Sequence, residues 1–309
     1  MQHARLFAGR PDTRLCAIVG RTASRVDERA GRFGVPGYLD IDEMIERERP
    51  DLVSVCLPNE GHFEPTLRVI RAGFPLLVEK PLVFNLDEAR ELLDAAEERG
   101  LFFALNFNHR YAQPVRLALD AVEAGELGPL TFATWRFGGE SGTSSHPYAN
   151  LIETQCHGLD LLEHLAGPID SVMAQLSGPT LAVALHFAAG AVGSLVGSYE
   201  SSYAYPNTHL LELNGTAGRV VVEDTVRRFT FHSAGDELGR VWQAGYFNDE
   251  ARDFHATFDR YVDDLLPALR EGRQPPVPAT AGARALKLAY AIIRSHETGA
   301  RVEVDNSQR

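Results

Sequence analysis

The chain has 309 residues, of which 44% are hydrophobic and 23% charged. These fractions are close to globular averages, so packed cores are expected and wholesale disorder is excluded. With 30 basic against 42 acidic side chains the net charge is −12, which repels phosphate backbones and anionic lipid, so neither nucleic acid nor membrane is an expected partner. At roughly one domain per 100 to 200 residues, the length predicts two domains.

Three cysteines, Cys16, Cys56 and Cys156, are too few for a disulfide framework, and the first two lie in apolar runs. A reducing, cytoplasmic setting is expected. The segment from Met1 to Arg10 has no apolar core of a secretory signal. The most hydrophobic stretch, Leu181 to Gly197, is interrupted by His186, Ser194 and glycines. It falls short of the about 20 apolar residues that a span needs, and it reads as a hairpin turning at Ala189-Gly190.

The first third alternates strand and helix. Leu15 to Val19 reads as a strand, and Ala23 to Phe33 as a helix closed by Gly34. Asp40 with Glu43 is a capping box opening a helix that stops at Pro50. Leu52 to Leu57 is a buried strand, followed by a helix ending at Gly73 and a strand at Leu76 to Glu79. Asn85 caps a helix from Leu86 to Arg99, stopped by Gly100, and Leu101 to Phe107 follows as a strand. This alternation means βαβ crossovers and a doubly wound, mostly parallel sheet.

After about Tyr111 the pattern changes. A helix from Val115 to Ala124 leads into Leu130 to Phe137, a Gly/Ser-rich loop to Ser145, and a helix from about Ile152 to Leu165. Six strand-like runs follow: Ser171 to Leu176, Leu181 to Phe187, Ala191 to Tyr199, His209 to Leu213, Arg219 to Glu223 and Arg228 to Phe231. Asn214-Gly215 between two of them is a strong hairpin signal, so this half is an α/β domain with a mainly antiparallel, open sheet. Helices from Glu250 to Arg270 and Ala281 to His296 close the chain. The expected domains are 1–111 and 112–309.

Parallel sheets bind ligands beyond the carboxyl ends of their strands. Four tips qualify: Gly20-Arg21-Thr22, Pro58 to His62, Glu79-Lys80-Pro81 and Asn106 to Arg110. Pro81 drives Lys80 out of the helical region, so its ammonium projects from the strand end, where it can orient a hydroxylated ligand; an ordinary surface lysine before a turn has the same spacing. Glu153, His157, Asp160 and His164 recur at helical spacing on one stripe. A histidine flanked by carboxylates can act as general acid/base, the same stripe can bind a divalent metal, and a solvated polar face has the same pattern.

Together the run Leu52 to His62, then Val78-Glu79-Lys80-Pro81-Leu82, Phe107-Asn108-His109-Arg110-Tyr111 and Glu153-x3-His157-x2-Asp160 resemble the Gfo/Idh/MocA oxidoreductases, the family of glucose-fructose oxidoreductase and inositol dehydrogenase. The resemblance spans nearly the whole chain, ending in the two C-terminal helices and a short strand, Arg301 to Val304. It implies a Rossmann domain binding NAD or NADP, and a second α/β domain whose open sheet serves subunit contacts in a dimer or tetramer. It implies oxidation or reduction of a carbinol carbon of a sugar, cyclitol or related polyol. By this resemblance Lys80 contacts substrate and nicotinamide ribose, and His157 is the acid/base, oriented by Glu153 or Asp160. Glu153 stands where the family pattern usually has Asp. Pro58, Asn59 and His62, with Glu79, match segments lining the cofactor, while Asn108, Arg110 and Tyr111 flank the substrate. His146 and Tyr148, in the loop before the His157 helix, are further candidate substrate contacts.

Two departures stand out. The family usually opens with a strand and a Gly-x-Gly-x-x-Gly turn. Here His3 to Phe7 looks like the helix after that turn, which implies either a start recorded too late, the favoured reading, or loss of dinucleotide binding. At the first readable strand tip, Gly20, Arg21 and Thr22 offer a guanidinium and a hydroxyl where an acidic residue would favour NAD, so NADP is the expected cofactor and NAD the alternative. An arginine on a solvated turn reads the same way. Two rival functions remain at this level: a degenerate member that binds a ligand or partner without redox chemistry, and a metal-assisted enzyme using Glu153, His157 and His164.

Overall fold

The computed structural model describes residues 1–57, 61–140, 146–245 and 253–306. The chain divides into one unit of Met1–Asn106 with Val262–Ala283 and another of Phe107–Tyr261 with Arg284–Arg309. The division falls at 106/107, whereas the sequence placed it at 111/112. Residues 262–283 return to the first unit because Leu105 donates its backbone N–H to Val277 (3.0 Å) and Ala104 bridges Pro278.

The first unit runs α1 (Gln2–Gly9), β1 (Ile18–Val19), α2 (Ala23–Phe33), β2 (Gly37–Tyr38), α3 (Ile41–Glu48), β3 (Val53–Val55), α4 (Phe63–Ala72), β4 (Leu76–Glu79), α5 (Leu86–Glu97) and β5 (Phe103–Asn106). All its strand pairs are parallel. Asp40 accepts from the N–H groups of Asp42 and Glu43, and Asn85 from those of Asp87 and Glu88, so both expected caps form. Gly34 ends α2 in the left-handed region at φ 66°. Val26 and Ala30 form the buried stripe of α2; Val69 and Ile70 of α4, Leu92 of α5, and Leu76, Leu77 and Val78 of β4 are all buried. β1 is shorter than the expected Leu15 to Val19, and β2 carries too few residues for any period to reveal it. The parallel strands form two separate sheets, β1-β2 and β3-β4-β5. Among the described residues no strand pairs with both β1 and β3.

The second unit opens with a 3-10 turn, Asn108–Tyr111, and then runs α6 (Gln113–Glu123), β6 (Leu130–Gly138), α7 (Ala149–Glu153), α8 (Cys156–Ala166), β7 (Ile169–Ser177), β8 (Thr180–Phe187), β9 (Val192–Ser198), β10 (His209–Gly215), β11 (Gly218–Glu223), β12 (Arg228–Ser233) and β13 (Gly239–Gln243). After α9 (Ala256–Arg270) and α10 (Ala279–Thr298), β14 (Val302–Glu303) pairs with β7. The nine strands lie in the order β13-β12-β11-β10-β6-β9-β8-β7-β14, antiparallel except for β6-β9. Register aligns Ala174, Val183, Leu195, Trp135, Leu211, Val222 and Phe229 in one buried row across the sheet. The opposite face is open, with Met173, Val192 and Val196 exposed.

Three local expectations shift. The helix expected from Ile152 to Leu165 is two, broken at Thr154-Gln155. The Asn150 carbonyl there accepts from Thr154 N, Gln155 N and the Tyr199 hydroxyl (3.1, 3.2 and 2.8 Å), which widens the turn. The Asn214-Gly215 hairpin turn falls at Thr216-Ala217 instead. Gly215 is needed for close approach, since a Cβ there would lie 2.1 Å from the Leu127 carbonyl oxygen. The expected start of the last helix pair at Glu250 lies outside the described residues, and α9 begins at Ala256. No helix among the described residues is long and apolar enough to cross a membrane.

Candidate active site

At the first strand tip, Gly20 donates its N–H to Tyr38 (3.1 Å), and Arg21 and Thr22 are exposed at the start of α2. No side chain caps α2, and none caps α1, in contrast to α3 and α5. Uncapped first turns keep their N–H donors available to an anion, and the Arg21 guanidinium adds charge beside one of them. This donor set fits the ribose and phosphate groups of a dinucleotide. Pro58 and Asn59, expected cofactor contacts, lie outside the described residues. His62, also expected to face the cofactor, is 1% exposed. Its Nδ1 lies 2.8 Å from the Pro81 carbonyl oxygen and its Nε2 2.9 Å from that of Leu57. Both ring nitrogens thus face backbone carbonyls, and the ring N–H donates to one of them, so His62 ties the segment after β3 to the β4 tip.

Glu79, expected beside the cofactor, sits in a hydrogen-bonded cluster. Its Oε1 accepts from Asn106 Nδ2 (2.6 Å) and from His3 Nε2 (2.6 Å), while the other nitrogen of His3 meets Ser54 Oγ at 2.7 Å. Burial opposes charge on His3, but Cys56 and Glu79 outweigh it and raise the imidazole to about 10. Burial likewise opposes charge on Glu79, but the His3 hydrogen bond and charge hold the carboxyl below its ordinary value. The result is a part-buried ion pair immediately before Lys80, whose own N–H donates to Glu79 Oε2 at 3.2 Å. Lys80 itself is part-buried at the carboxyl end of β4. Nothing in the spacing around His3 marks this role, because its partners are brought together only by the sheet.

The pair makes stability pH-dependent. His3, raised from 6.5 to about 10, contributes stability that is fully present below pH 6.5 and lost as pH rises through 10. Glu79, lowered from 4.5, contributes above that pH and loses its contribution as pH falls. Calorimetric Tm measured from pH 4 to 10 is expected to peak between about pH 5 and 6.5 and to decline on the alkaline side, and His3→Ala is expected to flatten the alkaline decline. A parallel alkaline decline in both proteins would remove the pair from the account.

In the second unit His157 is the second residue of α8 and is buried. The His109 ring lies flat against it, with centroids 3.8 Å apart and planes 6° apart, and Phe107 meets it edge-on at 5.8 Å. Glu153, 8% exposed, ends α7, so the helix break removes it from the continuous stripe on which the spacing put it. Cys156 packs with its thiol donating to the Glu153 carbonyl at 3.1 Å.

Asp160 and Arg110 form an ion pair. Arg110 Nε and Nη2 donate to the two oxygens of Asp160 at 2.8 and 2.5 Å, and the side chains are only 17% and 2% exposed. Burial disfavours charge on Arg110, but the Asp160 carboxylate more than offsets this and holds the guanidinium above its ordinary value; burial pushes the Asp160 carboxyl up against the pull of Arg110. Two parallel N–H···O bonds are the geometry of an ionised carboxylate. The pair, of which Asp160 was expected beside His157 and Arg110 beside the substrate, clamps the 3-10 turn to α8. Burial, and then the Arg110 charge, push His164 down to about 4, so it is neutral at neutral pH.

Asn108 and Tyr111, expected to flank the substrate, have partners within the second unit: Asn108 Nδ2 donates to Thr257 Oγ1 at 2.7 Å, and Tyr111 is buried against Tyr261 at 5.0 Å. Tyr148 donates its hydroxyl to Glu297 at 3.1 Å, and its N–H donates to His146 Nδ1 at 3.2 Å, beside a cleft bordered by Leu176, Pro179 and His296. Among the described residues no group of three or more His, Cys, Asp or Glu side chains is arranged to hold a metal ion, so the Glu153, His157 and His164 metal reading has no coordinating geometry behind it.

Family models decide the relationship. The NAD-binding Rossmann model of an oxidoreductase family matches residues 1–107, and that family's C-terminal alpha/beta model matches 127–304. The chain belongs to the Gfo/Idh/MocA oxidoreductase family. This Gfo/Idh/MocA chain is 25% identical to myo-inositol 2-dehydrogenase of Thermotoga maritima over 318 aligned positions, covering 95% of the chain and 92% of that protein. Against D-glucoside 3-dehydrogenase of Escherichia coli it is 33% identical over 135 residues, 43% of the chain, and spans only 38% of that relative's length. The solved structure of a levoglucosan dehydrogenase with NADH and levoglucosan matches with a TM-score of 0.88 at 20% identity, covering 99% of this chain and 96% of the other, which shows a shared fold. The first unit of this family member is thus an NAD(P)-binding Rossmann domain.

Proposed function

We propose that the protein is an NADP-preferring oxidoreductase acting on a carbinol carbon of a sugar, cyclitol or related polyol. What supports this reading is the match of residues 1–107 to an NAD-binding Rossmann model, together with a lysine at the carboxyl end of β4, where parallel sheets bind their ligands. Relatives named for glucoside and inositol dehydrogenation support this substrate class.

When bound, the nicotinamide exchanges a hydride at C4 with the substrate carbon. Arg21 and Thr22 hold the adenosine ribose and its 2′-phosphate. Lys80 holds the reacting hydroxyl oxygen and stabilises its developing negative charge. His157 accepts the hydroxyl proton in oxidation and returns it in reduction, with its ring plane fixed by packing and Glu153 as the neighbouring carboxylate on the chain. Asp160, Arg110, Asn108 and Tyr111 brace the turn and helix that carry it. The open face of the nine-stranded sheet, with Met173, Val192 and Val196, meets a second copy of the chain to make a dimer or tetramer, and the enzyme works in the cytoplasm.

Two results test the cofactor reading. A panel of polyols and sugar derivatives is offered with NADP or NAD, and reduced cofactor is followed spectrophotometrically; turnover with NADP on at least one polyol is expected. Binding of cofactor without turnover on any of them supports the degenerate, ligand-binding alternative. Arg21→Ala is expected to lower the preference for NADP over NAD by about tenfold, the loss of one exposed charge-assisted hydrogen bond. An unchanged preference, read by titration calorimetry, would leave Arg21 as a solvated turn residue.

A further inference from the structure

We propose that His109 is a positioning residue for His157: its ring, stacked flat on the His157 imidazole, fixes the plane in which that imidazole presents its nitrogens. This rests on the reading of His157 as the proton-transferring group.

The stack is built from both sides. His109 sits in the middle of the 3-10 turn, and each flanking residue is tethered: Asn108 to Thr257 at 2.7 Å, and Arg110 to both oxygens of Asp160 at 2.8 and 2.5 Å. Asp160 lies one helical turn beyond His157 on α8, so the Arg110 clamp locks the turn to the helix that carries His157. With its neighbours fixed, the His109 ring reaches 3.8 Å from the His157 ring at an interplanar angle of 6°. Phe254 also packs on His109, with centroids 5.4 Å and planes 85° apart, and Phe107 packs on His157 at 5.8 Å and 64°. A histidine side chain has only two torsions, and rotation about the second swings both ring nitrogens away from a fixed target. The flat His109 ring and the tilted Phe107 ring together restrict that rotation. Proton transfer depends on heavy-atom alignment, so this restraint bears on the rate of the step rather than on substrate affinity.

The test compares His109→Ala, which removes the stack, with His109→Phe, which keeps a flat ring. The His109→Ala variant is expected to lose about 10- to 100-fold in kcat, with KM and NADP affinity changed less than about threefold, and His109→Phe to recover most of the loss. Proton NMR of the His157 ring resonances, assigned by their disappearance in His157→Asn, reads the stack without turnover. Their ring-current shift is expected to vanish in His109→Ala and persist in His109→Phe. In the His157→Asn background, His109→Ala is expected to add almost nothing, because both act through one imidazole. If His157→Asn is inactive but His109→Ala turns over like the parent, or if Phe rescues no better than Ala, the positioning role is overturned while the acid/base reading stands. If His157→Asn itself keeps parental turnover, the acid/base reading fails, and the NMR comparison still decides whether the rings stack.

Discussion

His157→Asn is expected to lower kcat by about two to four orders of magnitude while NADP binding stays within about threefold, because the substitution removes a proton acceptor from the reacting hydroxyl and leaves the first unit untouched. Lys80→Met, at the carboxyl end of β4, is expected to cut turnover strongly as well, again with cofactor binding retained. The two losses are expected to be far from additive, since charge stabilisation on the oxygen and removal of its proton serve one step. Steady-state kinetics on the four proteins of this cycle, with cofactor affinity measured separately, check the result. Turnover at the parental level in either single variant would remove that residue from the mechanism.

The second large effect concerns stability. Replacing Asp160 by Leu strands the Arg110 guanidinium in a site where its side chain is 17% exposed, and replacing Arg110 by Met strands the 2%-exposed Asp160 carboxylate. Each single variant is expected to lose about 3 to 5 kcal/mol, while the double variant Arg110→Met with Asp160→Leu recovers most of this, because desolvation of the two ions offsets much of their attraction. Urea denaturation of the three variants reads the difference. Equal losses in the single and double variants would mean that the pair is worth its full Coulombic attraction, contrary to this account.

How much of this was legible in the sequence varied with the range over which each signal acts. Local capping chemistry was readable at three helix ends: Asp40, Asn85 and Gly34 each bound the helix they announce, whereas the helix expected to stop at Gly100 ends at Glu97. Period-two runs located most strands of the second unit. β2 and β13 escaped because the first is a two-residue strand and the second is an exposed edge with little apolar pattern. The Asn214-Gly215 turn misled because glycine answers both a turn and a close approach, and here Leu127 demands the second. The site residues divide in the same way. Lys80 and His157 stood out through spacing and a family resemblance. By contrast, the commitment of Asp160 to Arg110, of Asn108 to Thr257 and of Glu79 to His3 depends on partners 50, 149 and 76 positions away, a separation that no local pattern encodes. His109 was read only as part of a motif. Its position on the His157 ring follows from two tethers that are themselves long-range.

Hydride transfer between a polyol and a nicotinamide is the claim on which the rest depends. The most direct measurement incubates the full chain with NADP and polyols carrying deuterium on their carbinol carbons, and reads the mass of the reduced cofactor. The expected result is NADPH bearing the substrate's deuterium at C4. A chain that binds NADP yet yields no labelled reduced cofactor from any polyol would contradict the account.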